Sequence, residues 1–157
     1  MRHIISVLVE NKFGVLARIA GLFSARGYNI ASLAVSETLD PTVSYMTIVV
    51  EAEDEKILEQ IKKQLNKLID VITIADFTKK EHLDRELVLV KIDYSSKDKG
   101  KLESIVKKTD ARIIQHKDGA AIVEIVGAQE QIKVLIDGLN QFTIKELVRS
   151  GRIAMTK

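Results

Sequence analysis

The chain runs through one pattern of hydrophobic periodicity twice, and this repetition constrains its fold more than any single motif does. Residues 3–9, HIISVLV, are apolar and β-branched, which predicts a strand. Over residues 15–26, Leu16, Ile19, Ala20, Leu22 and Phe23 recur at helical spacing, and Gly27 stands where a left-handed helix end is common. Strands are predicted at 29–37 and 43–51, separated by the turn Leu39-Asp40-Pro41-Thr42. Asp54 reads as the N-cap of a helix over 55–68, with Ile57, Leu58, Ile61, Leu65 and Leu68 on one face. A short strand at 71–77 completes the set. The second copy places strands at 86–93, 111–116, 120–126 and 143–148, with helices at 99–109 and 129–139. Lys117-Asp118-Gly119 reads as its hairpin turn.

Each copy is β-α-β-β-α-β, the split βαβ arrangement. The expected fold class is therefore α+β, with two ferredoxin-like domains in tandem. Each should be an antiparallel sheet with both helices on one face and right-handed crossovers. The expected boundaries are 1–78 for the first domain, 79–85 for a polar linker and 86–157 for the second domain.

Composition removes several function classes. The hydrophobic fraction of 46% suffices for cores, yet no apolar run approaches the ~20 residues of a membrane-spanning helix. A net charge of +2 gives no strong positive field for nucleic acid, and aromatics at 4% with no Trp leave few stacking surfaces. There is no Cys, so disulfides, thiolate metal sites and cysteine nucleophiles are absent. The amino terminus lacks the pattern of a signal peptide, so a cytoplasmic protein is expected. The halves differ in charge: residues 1–78 carry 8 basic and 10 acidic residues, and 79–157 carry 16 and 12. The mildly basic second half suits an acidic partner or, more simply, a solvated Lys-rich surface.

No catalytic constellation is present. The chain has no G-x-S-x-G, no phosphate-binding loop and no strand-G-x-G-x-x-G-helix. His3, His82 and His116 are far apart in sequence and suggest no metal site. The acidic run Glu51-Ala52-Glu53-Asp54-Glu55 opens a helix, where acids complement the dipole.

One loop carries recognition chemistry. Asn11-Lys12-Phe13-Gly14-Val15-Leu16 joins the first strand to the first helix. The backbone N–H groups of Phe13, Gly14, Val15 and Leu16 suit a carboxylate, and Gly14 leaves room for close approach. Asn11 and Asn29 add amide groups. Val15, Leu16, Ile30 and Leu33 are candidates to line a small apolar pocket. The set fits an aliphatic amino acid; the same residues also read as an ordinary cap and turn.

The run NKFGVLARIAGLFSARGYNIASL, Asn11 to Leu33, and above all R-G-Y-N-I-x-S-L, resembles the ACT domain of acetolactate synthase (acetohydroxyacid synthase) small regulatory subunits. The likeness continues through Asp40-Pro41, Ser44, Met46-Thr47-Ile48, the helix from Leu58 to Leu65, and Lys67 to Val71. Arg85-Glu86-Leu87 and Arg149-Ser150-Gly151-Arg152-Ile153-Ala154 extend it over nearly the whole chain. One departure is Tyr45, where the family usually has Arg.

This resemblance implies a non-catalytic subunit. It would bind and activate a large catalytic subunit and confer feedback inhibition, typically by valine. Thiamine diphosphate, Mg2+ and FAD would belong to that partner, with no cofactor or metal in this chain. It also implies a homodimer through ACT domains, with the effector between Asn11, Phe13, Gly14, Val15 and Leu16 of one copy and Asn29 and Ile30 of the other. Arg26 and Leu33 are candidate contacts with the catalytic subunit. The alternatives are a stand-alone ACT amino-acid sensor acting on another partner and a free-standing enzyme on the same fold.

Overall fold

In the computed structural model, which describes residues 2–157, the chain divides into two compact units. One extends to Leu83 and takes back the C-terminal Arg152–Lys157; the other is Asp84–Gly151. The elements are β1 (Arg2–Glu10), α1 (Val15–Ser24), β2 (Asn29–Glu37), β3 (Val43–Glu51), α2 (Glu55–Leu65), β4 (Val71–Asp76), β5 (His82–Asp93), α3 (Lys99–Lys108), β6 (Arg112–Lys117), β7 (Ala120–Gly127), α4 (Gln129–Leu139), β8 (Thr143–Arg149) and β9 (Ile153–Thr156). A 3-10 turn at Ser96–Asp98 precedes α3.

The first unit's sheet has the order β2-β3-β1-β4, and the second's has β6-β7-β5-β8. In both, neighbouring strands are antiparallel, as expected of the split βαβ pattern. In the first unit, alternate residues Ile5, Val7 and Val9 of β1 and Met46, Ile48 and Val50 of β3 point to one face. Val15, Ile19, Leu22 and Phe23 of α1 and Leu58, Ile61 and Leu65 of α2 cover that face. In the second unit Val88, Val90 and Ile92 of β5 pack likewise with Leu102, Val106, Ile132, Leu135 and Leu139. Each such side chain contributes roughly 1.5–3 kcal/mol by leaving water.

Local signals set the helix ends. Asp54 caps α2, its Oδ1 accepting the Ile57 N–H at 2.9 Å. Beyond α1, Gly27 takes φ +69. Gly27 N–H then reaches Ser24 O (3.0 Å) and Tyr28 N–H reaches Phe23 O (3.0 Å), the paired bonds of a Schellman closure. That left-handed residue turns the chain into β2 and ends α1 short of residue 26.

Two boundaries differ from the sequence reading. The segment read as a linker at 79–85 is already strand from His82. The tail at 152–157, assigned above to the second domain, packs on the first unit. Ala154 is buried there with Ile4, Val49 and Phe77, on the sheet face opposite the helices. This second small core explains why β1 is almost continuously buried and apolar: both of its faces are covered.

Candidate functional site

The β1–α1 loop is pinned at the end of the first unit's sheet. Glu10 N–H donates to Asp70 O (2.9 Å) and Asn11 N–H to Thr42 O (2.7 Å). The Asn11 amide Nδ2 also donates, to Pro41 O at 2.9 Å. Gly14 then takes φ +81 as the residue before α1, with no side chain capping the helix. Only glycine enters this region without a Cβ penalty. Val15 N–H donates to Lys12 O and Arg18 N–H to Gly14 O. The N–H groups of Phe13, Gly14, Leu16 and Ala17 take no backbone acceptor among the described residues. An open helix start with free N–H groups favours an anion.

Arg18, one turn into α1, adds a cation that sequence reasoning missed. Its Nε and Nη2 both donate to Asp70 Oδ2, at 3.0 and 2.8 Å. Nη1 lies 3.2 Å from where a Cβ on Gly14 would stand. Asp70 thus fixes the guanidinium beside the free N–H groups. The signal was legible in principle, since Arg18 is four residues after Gly14 and so shares its helix face.

The remaining predicted residues separate. Val15 is buried in the core, so its side chain lines no pocket; Leu16 stays partly exposed. Ile30 and Leu33 pack against the same core from β2. Phe13 projects wholly into solvent. Asn29 Nδ2 donates to Glu51 Oε2 at 3.0 Å, and Arg2 Nε donates to Glu51 Oε1 at 3.2 Å. These bonds, Asn29's first, hold the Glu51 carboxyl below its ordinary pKa. Arg26 braces the helices, with Nη2 on Gln64 Oε1 at 2.9 Å and Nη1 on Leu22 O.

Register shows how far apart the two asparagines are. Asn29 and Arg2 both pair with Glu51, whereas Glu10 pairs with Val43 at the other end. Nine strand residues separate these ends, roughly 25–30 Å. Within one chain Asn29 and the Gly14 loop cannot hold one small ligand. However, β2 is an edge strand. It runs parallel to β1, since both are antiparallel to β3. Its Asn29 end therefore lies at the start of β1, and its Glu37 end lies near the Gly14 loop.

A groove of about 640 Å3 runs between α2 and β4, away from these residues. Its walls are charged and internally paired: Lys62 with Glu59 and Asp76, and Lys79 with Glu55. Burial works against the Asp76 carboxylate, but bonds from Thr78 and Lys62 outweigh it and lower its pKa. The three histidines are dispersed: His3 bonds Thr78, His82 bonds Lys80 O, and His116 bonds Tyr94. No group of three metal-ligating side chains gathers among the described residues, and no helix is long and apolar enough to cross a membrane.

The chain's similarities to known proteins cover its full length. Residues 5–73 match the AHAS small subunit-like ACT domain family, and residues 85–157 match the family described as small subunit of acetolactate synthase. The chain belongs to the acetolactate synthase small subunits. It is 43% identical over 157 residues to the probable acetolactate synthase small subunit of Archaeoglobus fulgidus, covering 100% of this chain and 98% of that one. It is 39% identical over 158 residues to the acetolactate synthase isozyme 3 small subunit of Escherichia coli, covering 100% and 96%. The crystal structure of the acetolactate synthase small subunit from Thermotoga maritima superposes with TM-score 0.88 at 34% identity, covering 100% and 98%.

Membership in a small-subunit family implies a large, catalytic partner. It also gives Tyr45 a context. The Tyr45 hydroxyl donates to Ala154 O at 2.7 Å, while Ala154 N–H donates to Thr47 Oγ1 (3.3 Å) and Arg152 N–H to Ser32 Oγ (3.0 Å). In this small subunit the position where the resemblance expects Arg fastens the tail to the ACT sheet.

Proposed function

We propose that this chain is the regulatory subunit of an acetolactate synthase. It raises the activity of a thiamine-diphosphate-dependent catalytic subunit and makes that activity sensitive to valine or another branched-chain amino acid. On this reading thiamine diphosphate, Mg2+ and FAD sit in the partner, the enzyme works in the cytoplasm, and this chain performs no catalytic step.

The observation that carries the effector site is the Gly14 loop: free N–H groups, a positive φ and the Arg18 guanidinium at one open helix start. The effector carboxylate is received there. Its ammonium needs an acceptor, which the amide oxygen of Asn29 supplies. The 25–30 Å between these groups in one chain requires a second copy. Antiparallel addition of two β2 edges joins two four-stranded sheets into one of eight. It brings Asn29 and Ile30 of one copy beside the Gly14 loop of the other, and it covers an edge that would otherwise stay open.

Effector binding at this seam favours one arrangement of the two copies, through a difference in affinity between arrangements. A coupling of ~1–3 kcal/mol is the ordinary range for such a device. The test mixes purified chain with the large subunit of an acetolactate synthase and follows acetolactate formation from pyruvate. Activity should rise on addition of this chain and fall again with valine, leucine or isoleucine. Acetolactate formation by this chain alone, or a large subunit indifferent to it, contradicts the proposal.

A further inference from the structure

The amide of Asn29 can meet an effector with either end, and the two ends act oppositely. Its oxygen accepts a hydrogen bond from an ammonium; its NH2 group only donates and would repel one. Whatever orients the amide is therefore part of recognition. At the Arg2 end of the first unit's sheet, Glu51 of β3 stands in register between Arg2 of β1 and Asn29 of β2. Residues directly opposite on antiparallel strands have Cβ atoms ~4.5–5.5 Å apart, close enough for their side chains to bond. Each Glu51 oxygen takes one neighbour. Oε1 accepts Arg2 Nε–H at 3.2 Å, and Oε2 accepts the Asn29 Nδ2 group at 3.0 Å.

An ionised carboxylate accepts and cannot donate. Bonds from Asn29 and then Arg2 hold the Glu51 carboxyl below its ordinary pKa, so it is ionised at neutral pH. The Asn29 amide can satisfy it only with its NH2 group. The amide oxygen is thereby left free, accepting no bond among the described residues, at the start of an edge strand. Arg2 offsets the carboxylate's charge, so Glu51 acts through the amide rather than through a field.

We propose that Glu51 is a positioning residue of the effector site: it fixes the Asn29 amide with its oxygen presented, and so makes the site select an amino acid over the 2-oxo acid of the same carbon skeleton. This rests on the proposed effector site, in which Asn29 receives the ammonium. An ammonium only donates and meets the free oxygen. A 2-oxo group only accepts, so it sets oxygen against oxygen and leaves both unpaired. An apolar pocket cannot separate these two ligands, because their side chains are identical. A site built to bond the N–H groups rejects the analogue that lacks them.

The test is the exchange Arg2→Glu/Glu51→Lys in full-length chain. It keeps one cation and one anion as direct cross-strand neighbours, so the ion pair survives. It also sets a group that only donates against Asn29, which turns the amide over and aims its NH2 group at the effector. Competition calorimetry with valine and 3-methyl-2-oxobutanoate reads the result. Valine should weaken at least tenfold, and its preference over 3-methyl-2-oxobutanoate should fall by more than that, because the 2-oxo acid gains a donor. Glu51→Gln, whose amide both accepts and donates, should fall between parent and exchange on both measures, and it decides the matter if the exchange variant does not fold. The proposal is overturned if the folded variant keeps the parent's valine affinity and preference, or if both ligands weaken in step, as a purely structural role requires. Asn29→Ala separates the two layers. Loss of valine binding there, beside an unchanged Glu51 variant, removes Glu51 and leaves the effector site standing. Unchanged valine binding in Asn29→Ala, or a parent that binds neither ligand, overturns the effector assignment and this proposal together.

Discussion

Gly14→Asp probes the fold and the effector site at once, and the two consequences can be separated. The backbone there has φ +81. Forcing an L-residue into that region costs about 1–2 kcal/mol, and less for Asp than for most residues because its short side chain tolerates the left-handed region. The new Cβ would stand 3.2 Å from Arg18 Nη1, the mobile end of a flexible side chain, so that contact relaxes cheaply. The fold should survive with a Tm lowered by a few degrees. The effector should not. A carboxylate on residue 14 and the effector carboxylate, ~5 Å apart at an effective dielectric near 20, repel by about 3 kcal/mol. Arg18 relieves part of this, so affinity should drop at least about tenfold, which corresponds to 1.4 kcal/mol. Gly14→Ala carries the backbone cost without the charge. It should lose the same few degrees and retain most of the affinity. Valine titrated calorimetrically into the parent and both variants, with thermal unfolding alongside, reads both effects. Unchanged valine affinity in Gly14→Asp refutes the site, and a raised Tm refutes the strain.

Other outcomes follow from particular contacts. Arg18→Gln removes a half-exposed pair worth about 0.5–1 kcal/mol to stability. It should weaken valine more than it weakens the fold, and a variant that binds valine as the parent does removes Arg18 from the site. Tyr45→Phe deletes the bond to Ala154 O, a net ~1 kcal/mol, and amide exchange across residues 152–157 should accelerate; unchanged exchange contradicts the fastening role. Asp76 has its pKa lowered by Thr78 and Lys62 against the cost of burial, so its contribution is present above the ordinary carboxylate pKa of ~3.9 and is lost as pH falls through the lower folded value. Asp76→Asn should flatten the decline of Tm between about pH 4 and 2; parallel declines in parent and variant rule this out.

Sequence periodicity captured the elements whose register is fixed by a buried face. β2, β3 and α4 begin and end where their patterns do. Pattern fails where long-range pairing decides. Strand β9 is four residues long, and its anchors Ser32, Tyr45 and Thr47 lie more than a hundred residues earlier. His82 to Arg85 look like a charged linker by composition, yet they already belong to β5. At the site, turn chemistry identified the Gly14 loop correctly as an open helix start. Arg18 was hidden because a cation on an exposed helix face resembles solvation until Asp70 is placed against it. Val15 was misread for a related reason: its position in the loop motif says nothing of its burial, which the first turn of α1 decides by rotating it into the core.

An effector site shared by two chains can be restored by pairing two variants, each defective in a different half of it. Gly14→Asp disables the loop, and Asn29→Ala disables the partner position. Each variant alone should bind valine at least about tenfold more weakly than the parent. Refolded together, half of the dimers pair the two variants. In each of these, one seam combines an intact loop with an intact Asn29. Calorimetry should then recover roughly one quarter of the parent's valine sites, as the statistics of a symmetric dimer require. No recovery, in a mixture shown to contain the mixed dimer, contradicts a shared site and returns the ligand to a single chain.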